Sequence, residues 1–300
     1  MRRFAGLRWL GVGALAALGV AAACRPSAKA CYVTGVSVAG GADDGPIDSH
    51  GLARDDLRRA ALAAFAHTPG FQVPPAEPGS GTPRCRATVA LVDVAVQAAP
   101  AGRVEVLLGL GVSRGEEGEE YRETVRYGEA IRPAEDLASA LRRAIDGAAS
   151  RAASALALAL GEAAKPTPDV LRDLDSADPR MRDLAVRVLA DRRNPAAVPA
   201  LVQRLSDPDP DVVERAVGAL AQIRDPRAVG PLIGLTQRRE GSFVTQLVLI
   251  IGDIGGPEAE AYLDTLAVGH PDPAVRNAAA ESLDAMRRHG AARPTAPPGR

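Results

Sequence analysis

The feature that most constrains this chain is a recurrence of 31 residues in its second half. Asp178-Pro179-Arg180-Met181-Arg182-Asp183-Leu184-Ala185 opens one unit. Asp209-Pro210-Asp211-Val212-Val213-Glu214-Arg215-Ala216 opens the next, 31 residues on. The register then holds: Leu189 with Leu220, Pro195 with Pro226, Ala197-Val198 with Ala228-Val229, Leu201-Val202 with Leu232-Ile233. A further equal shift gives Phe243, Leu247, Ile251, Pro257, Ala259 and Leu263. A final half unit, Asp272 to Ala279 with Leu283, starts one residue late, and Val170-Leu171 with Leu174 match the second helix of a leading half unit. Two apolar helical stripes per unit cannot be buried by one unit alone, so stacking must create the core. The spacing predicts an all-α solenoid over residues 165–290.

The pattern Asp-Pro, Arg, Ala, Leu, then Pro-x-Ala-Val-x-x-Leu resembles HEAT-like repeats of the phycobilisome-lyase type. In that family the Asp at the unit start and the Arg after the Val tend to pair between neighbouring units. Arg182 and Arg276 keep that Arg, whereas Val213 and Val244 replace it. Ala185, Ala216 and Ala278 are small where helices approach closely, and Pro195, Pro226 and Pro257 open the second helices, where a missing N–H costs nothing. The outward positions of the second helices are the expected binding face: Gln203, Arg204, Leu235, Gln237 and Arg238. Leu235 is the apolar member, because its equivalent one unit earlier is Arg204. A merely solvated face is the alternative.

The other half reads differently. Strands are expected at Cys31–Ala39, Phe71–Val73, around Val92–Val96, Val104–Val112 and Tyr121–Ile131, with helices over Gly51–His67 and from Pro133 to about Leu160. The alternation Val104, Val106, Leu108, Leu110, Val112 marks one buried face of a strand. Leu137, Leu141, Ile145, Ala148, Ala152 and Leu156 mark a helical stripe. The order β-α-β-β-β-α predicts an α+β sandwich over residues 31–164, with two helices on one face of a mostly antiparallel sheet. That layout, with Gly70-Phe71-Gln72-Val73 in the middle, resembles envelope domains of the Tol-system periplasmic protein and of penicillin-binding-protein activator lipoproteins. No functional residue carries over from this resemblance.

The N-terminus carries an address. Arg2, Arg3 and Arg8 precede an uncharged run, Trp9–Ala23, which is shorter than the roughly 20 residues of a spanning helix. The end, Val20-Ala21-Ala22-Ala23-Cys24, resembles a bacterial lipobox, with Ala21 where such motifs prefer Leu. The resemblance implies a signal peptide over 1–23, lipid on Cys24, and a tether over 24–30 spanning at most about 20 Å. Arg25 follows, rather than the Asp that retains enteric lipoproteins at the inner membrane. The expectation is therefore an exported protein on the outer membrane, facing the periplasm. An ordinary cleaved signal and a retained anchor remain as alternatives. Two cysteines are then left, and an oxidising compartment suggests a disulfide between Cys31 and Cys85; two buried free thiols are the other possibility. The tail 291–300 is rich in Pro and Gly and is expected to be disordered.

Composition removes several functions. The 36 basic residues, of which only Lys29 and Lys165 are Lys, balance 37 acidic ones at a net charge of −1, which gives no reason to expect nucleic acid as a partner. Three Cys and four His are too few and too scattered for a rich metal site, so no metal and no cofactor are expected. Glu116, Glu117, Glu119 and Glu120 lack the spacing of a Ca²⁺ loop and read as a solvated turn. Asp43, Asp44 and His50 read as chance neighbours in a loop. There is no Gly-x-Ser-x-Gly, phosphate loop or His-Glu-x-x-His. The expected function is a non-enzymatic envelope lipoprotein that binds a protein partner through its repeats. The alternatives are a bilin-lyase-like enzyme, implied by the repeat family, and a regulator of a cell-wall synthase, implied by the first domain's layout.

Overall fold

The structure is a computed structural model that describes residues 31–39, 47, 49–78, 81–97, 102–114 and 120–291. Cys24, the signal segment, the tether, Asp43, Asp44, Glu116, Glu117, Glu119 and all of the tail after residue 291 lie outside the described residues.

The first half is an α+β layer pair. Its elements are β1 (Cys31–Val38), α1 (Arg54–His67), β2 (Phe71–Gln72), β3 (Arg84–Gln97), β4 (Arg103–Arg114), β5 (Glu120–Ala130) and α2 (Leu137–Ala163). The sheet order is β2-β1-β3-β4-β5. β3, β4 and β5 form an antiparallel meander, while β1 pairs in parallel with both β2 and β3. The sheet is therefore mixed rather than mostly antiparallel. A return through α1 brings the chain back in the same direction, and such a crossover gives a parallel pair.

The alternating residues of β4 sit where the pattern placed them: Val104, Val106, Leu108, Leu110 and Val112 are all buried. Against them α2 presents Ala140, Ala144, Ala148 and Ala152, also buried, between Leu141, Ile145 and Leu156. An alanine stripe lets the helix axis approach the sheet closely, and each fully buried Leu or Val is worth about 1.5–3 kcal/mol. Gly147 extends the same logic. The Tyr127 ring lies where a Cβ would be, 2.4 Å from its Cε1, and Arg151 stacks over that ring at 4.6 Å. Leu137, expected on the buried stripe, is exposed, because the helix begins at that residue with Asp136 as its cap.

The cysteines are a correction. Parallel pairing sets Cys85 opposite Val33, so Cys31 and Cys85 meet diagonally across neighbouring strands. Both are free, buried thiols rather than the expected disulfide. Their mutual interaction and burial push Cys31 far up, while Cys31 and the nearby Arg114 hold Cys85 down against its own burial.

The second half is a stack of short helices: α3 (Thr167–Asp173), α4 (Pro179–Asp191), α5 (Val198–Arg204), α6 (Pro210–Ile223), α7 (Val229–Thr236), α8 (Ser242–Ile254), α9 (Pro257–Gly269) and α10 (Pro273–Ala291). Unit one is α4–α5, unit two α6–α7 and unit three α8–α9, with α3 leading and α10 closing. Aligned residues share one fate. Leu189, Leu220 and Ile251 are fully buried, as are Leu201, Leu232 and Leu263, and Ala197, Ala228 and Ala259. The first helices each end near a positive-φ residue at the same offset, Arg193 (φ 45°), Arg224 (φ 56°) and Gly255 (φ 75°), although Gly255 with ψ −165° departs from the left-handed helical conformation of Arg224. Pro195 and Pro226 open 3₁₀ turns that run into α5 and α7, and Pro257 opens α9 directly.

The two halves are joined within three residues of chain, and charged side chains stiffen the joint. Arg192, which caps the C-terminus of α4, donates to the carbonyls of Ala163 (3.1 Å) and Lys165 (2.6 Å) at and just after the end of α2, and to Thr167 (2.9 Å). Arg187 of α4 donates to Glu123 of β5 at 2.8 Å. Lys165 bridges Glu162 (2.5 Å) and Asp173 (2.6 Å). Burial pushes the Glu162 carboxyl above the usual range. Burial also works against the Lys165 charge, but its bonds to Asp173 and Glu162 outweigh that and raise it.

Candidate functional site: the seams of the helical stack

Each seam between units is built from the same sequence positions, so the seams can be compared residue by residue. The start of α4 is fixed by Asp178, whose carboxylate accepts from the Arg180 N–H at 2.9 Å, with Pro179 at the first helical position. Asp209 does the same for α6 through the Asp211 N–H, also 2.9 Å. These caps set where the residue four positions after the Asp points.

At the first seam that residue is Arg182. It donates to the loop carbonyls of Ser176 (2.9 Å) and Ala177 (3.3 Å) before its own helix. It also reaches across to Asp207 in the next loop, with two parallel bonds of 2.9 and 2.7 Å. The Asp207 side chain is fully buried and that of Arg182 is 9% exposed. Burial works against the Asp207 charge, yet the Arg182 guanidinium outweighs it and holds the carboxyl below its usual range; the Arg182 guanidinium is raised in turn. This is a bidentate clamp between consecutive loops.

At the second seam both partners are changed. The position of Arg182 is Val213 and the position of Asp207 is Arg238. No ion pair can form, and a cleft of about 540 Å³ opens between the loops. Val213 and the half-buried Phe243 border it, with Pro210 and Glu214 on one lip and Gln237, Arg238, Arg239 and Glu240 on the other. The second lip also abandons the unit-start pattern. Glu240-Gly241 stands where Asp209-Pro210 stood, and Gly241 (φ 67°) sits at the cap position before α8 without a side-chain cap. Arg239 lies over the Phe243 ring at 5.6 Å, and Arg238 donates only to the Gly234 carbonyl at 3.3 Å. Among the described residues neither arginine has an ion-pair partner. The third seam is different again: Val244 packs into an apolar cluster with Leu266 and Val275.

The expected binding face is therefore corrected in two of its five members. Leu235 is 2% exposed and belongs to the core. Arg204 is also turned inward: it donates to the Leu174 carbonyl at 2.9 Å and reaches Asp175 at 3.3 Å, tying unit one to α3. The reason is the length of α5 and α7. With about two turns pressed between their own first helix and the neighbouring unit, the buried stripe is wider than one row. It takes in Val198, Leu201 and Leu205, and then Val229, Leu232, Leu235 and Thr236. Gln203, Gln237 and Arg238 are exposed, and the last two line the cleft. Gln237 and Arg238 belong to the expected face, but Val213, Phe243 and the pattern break at residues 239–241 were missed; adding 31 to Asp207 shows that Arg238 stands where the first seam has its acid.

Among the described residues no group of three or more His, Cys, Asp or Glu could hold a metal, and no helix is long and apolar enough to cross a membrane. The class these observations define is an α+β domain carrying a HEAT-like helical solenoid. Residues 167–249 match the family model of HEAT repeats. The chain is similar to an engineered protein at 20% identity and a TM-score of 0.32, covering 47% of this chain and 74% of that one. It is also similar to a candidate lipoprotein from Caulobacter crescentus CB15 at 14% identity and a TM-score of 0.28, covering 45% and 90%. A protein from Xanthomonas campestris gives 14% and 0.28, covering 42% and 80%. No curated protein matches the sequence.

Proposed function

We propose that this protein is a non-enzymatic scaffold of the bacterial cell envelope, exported, lipid-anchored through Cys24 to the outer membrane, and holding a protein partner on its solenoid. The observation that carries the reading is the stack of HEAT-like units, built on core residues that recur every 31 positions and fixed to the α+β domain by Arg187 and Arg192. Stacked units present successive equivalent positions as one extended surface, which suits a protein chain better than a small molecule. The rigid joint would hold that surface at one angle to the domain next to the membrane.

Photo-crosslinking in cells tests the reading. A photoreactive residue is placed in turn at Gln203, Gln222, Gln237 and Gln246, with and without Cys24→Ala. The expected result is one discrete protein adduct from a subset of neighbouring positions, with palmitate labelling lost in the Cys24→Ala variant. Absence of any protein adduct at all four positions would end the scaffold reading. Retained labelling and unchanged fractionation of Cys24→Ala would end the anchor.

A further inference from the structure

We propose that the cleft at the second seam is a docking site for a partner protein segment that carries one carboxylate beside an apolar side chain. This rests on the scaffold reading and names the chemistry of its occupant. The argument comes from the molecule's own closed version of the same place. At the first seam an Arg from the helix start meets an Asp from the next loop, and Arg204 lies within 3.5 Å of the same carboxylate. At the second, the helix start offers Val213 and the loop offers Arg238. The pair has been both emptied and inverted: the acid is missing, and a guanidinium waits on the lip where the acid should be.

The other residues narrow the occupant. Val213 borders the cleft but is 2% exposed, so the half-buried Phe243 supplies its open apolar surface, and the carboxylate needs an apolar neighbour to cover that ring. Arg238 and Arg239 supply two guanidinium forks without internal ion pairs, suited to bidentate carboxylate recognition. Glu214 and Glu240 stand on opposite lips and would repel a run of acids. The complement is thus a single Asp or Glu flanked by apolar residues, rather than an acidic tract. The volume of about 540 Å³ accommodates two or three side chains. The loop has also given up the aspartate cap and the proline that open α4 and α6. Local rules are broken here on several counts at once, as happens where a binding site competes with stability.

Peptide display on the full mature chain tests this. Selection from a random library is expected to enrich segments with one Asp or Glu next to a Leu, Val, Ile or Phe. Synthetic copies in which that acid becomes its amide should bind at least about tenfold more weakly, since a charge-assisted pair is lost. The variant Val213→Arg with Arg238→Asp rebuilds the first seam's clamp at the second. It should keep or raise the thermal midpoint and lose the selected peptides by a similar factor. Should that variant fail to fold, Arg238→Gln in the native background supplies the same readout with a smaller loss. The proposal is overturned if the selected peptides lack an acid, if the amide copies bind equally, or if the folded clamp variant still binds them. Photo-crosslinks persisting at Gln203 or Gln222 after such a failure would leave the scaffold standing and remove only this cleft.

Discussion

The first and second seams of the solenoid share a backbone plan and differ in how they close. At the first, a buried carboxylate and guanidinium span the gap between loops; at the second, valine and a solvent-facing arginine leave it open. The apolar stripes that stack the units are the same on both sides of this difference, with Leu189, Leu220 and Ile251 equally buried. Stacking therefore does not depend on the clamp. The clamp's effect is confined to the loop edge, and that edge is where the sequence has been free to change.

The largest expected effect comes from breaking the clamp on one side only. Asp207→Ala should cost about 3–5 kcal/mol, because it leaves the Arg182 charge buried without its partner. Replacing both, Arg182→Met with Asp207→Leu, should cost far less, within about 1 kcal/mol of the native chain. Urea unfolding of the three proteins makes the comparison. A small loss for Asp207→Ala alone would mean that the first seam is not held by this pair.

Next come the cavities. Leu220→Ala and Leu235→Ala should each cost about 2–5 kcal/mol, since both side chains are buried. Arg238→Ala, three residues after Leu235 but exposed, should change stability by less than about 0.5 kcal/mol. If Leu235→Ala behaved like Arg238→Ala, the buried stripe of α7 would have to be turned outward.

The pH dependence should separate the seams as well. The folded-state pKa of Asp207 lies below its unfolded value of about 3.9. The stability from Asp207 is therefore fully present above that unfolded value and is lost as pH falls through the depressed one. Asp207→Asn should flatten the acid limb of the stability–pH curve in that window. Arg238→Gln at the second seam should leave the limb unchanged.

The smallest effect concerns the ends of the first helices. Arg193 sits at positive φ at the position that Gly255 holds in the third unit. Arg193→Gly should raise stability by up to about 1 kcal/mol, as strain relief exceeds the entropy glycine adds to the unfolded chain. A lower thermal midpoint for Arg193→Gly would show that the arginine side chain contributes more than its backbone costs.

These regions also differ in how far the sequence alone could describe them. The core was legible, because a 31-residue period assigns every unit the same buried positions and a single misfit would have been visible. The long alternation of β4 and the alanine stripe of α2 were legible for the same reason of length. Leu235 and Arg204 were not, because a two-turn helix samples too few positions to fix its outward face, and its neighbours on both sides widen the buried stripe. The parallel pairing of β1 was not legible from strand patterns, which record faces and not neighbours. It decided how Cys31 and Cys85 meet. The cleft lay between these cases: Val213 reads as a departure and Arg238 as an outward residue, but Asp207, the acid that Arg238 replaces, sits in a loop outside the helical stripes that carry the register.

A pair of double-mutant cycles tests the comparison most directly. One cycle uses Arg182→Ala and Asp207→Ala, the other Val213→Ala and Arg238→Ala, all in the full mature chain and followed by urea unfolding. The account predicts a coupling above about 1 kcal/mol at the first seam and none within about 0.3 kcal/mol at the second. Equal couplings at the two seams, or no coupling between Arg182 and Asp207, would contradict it.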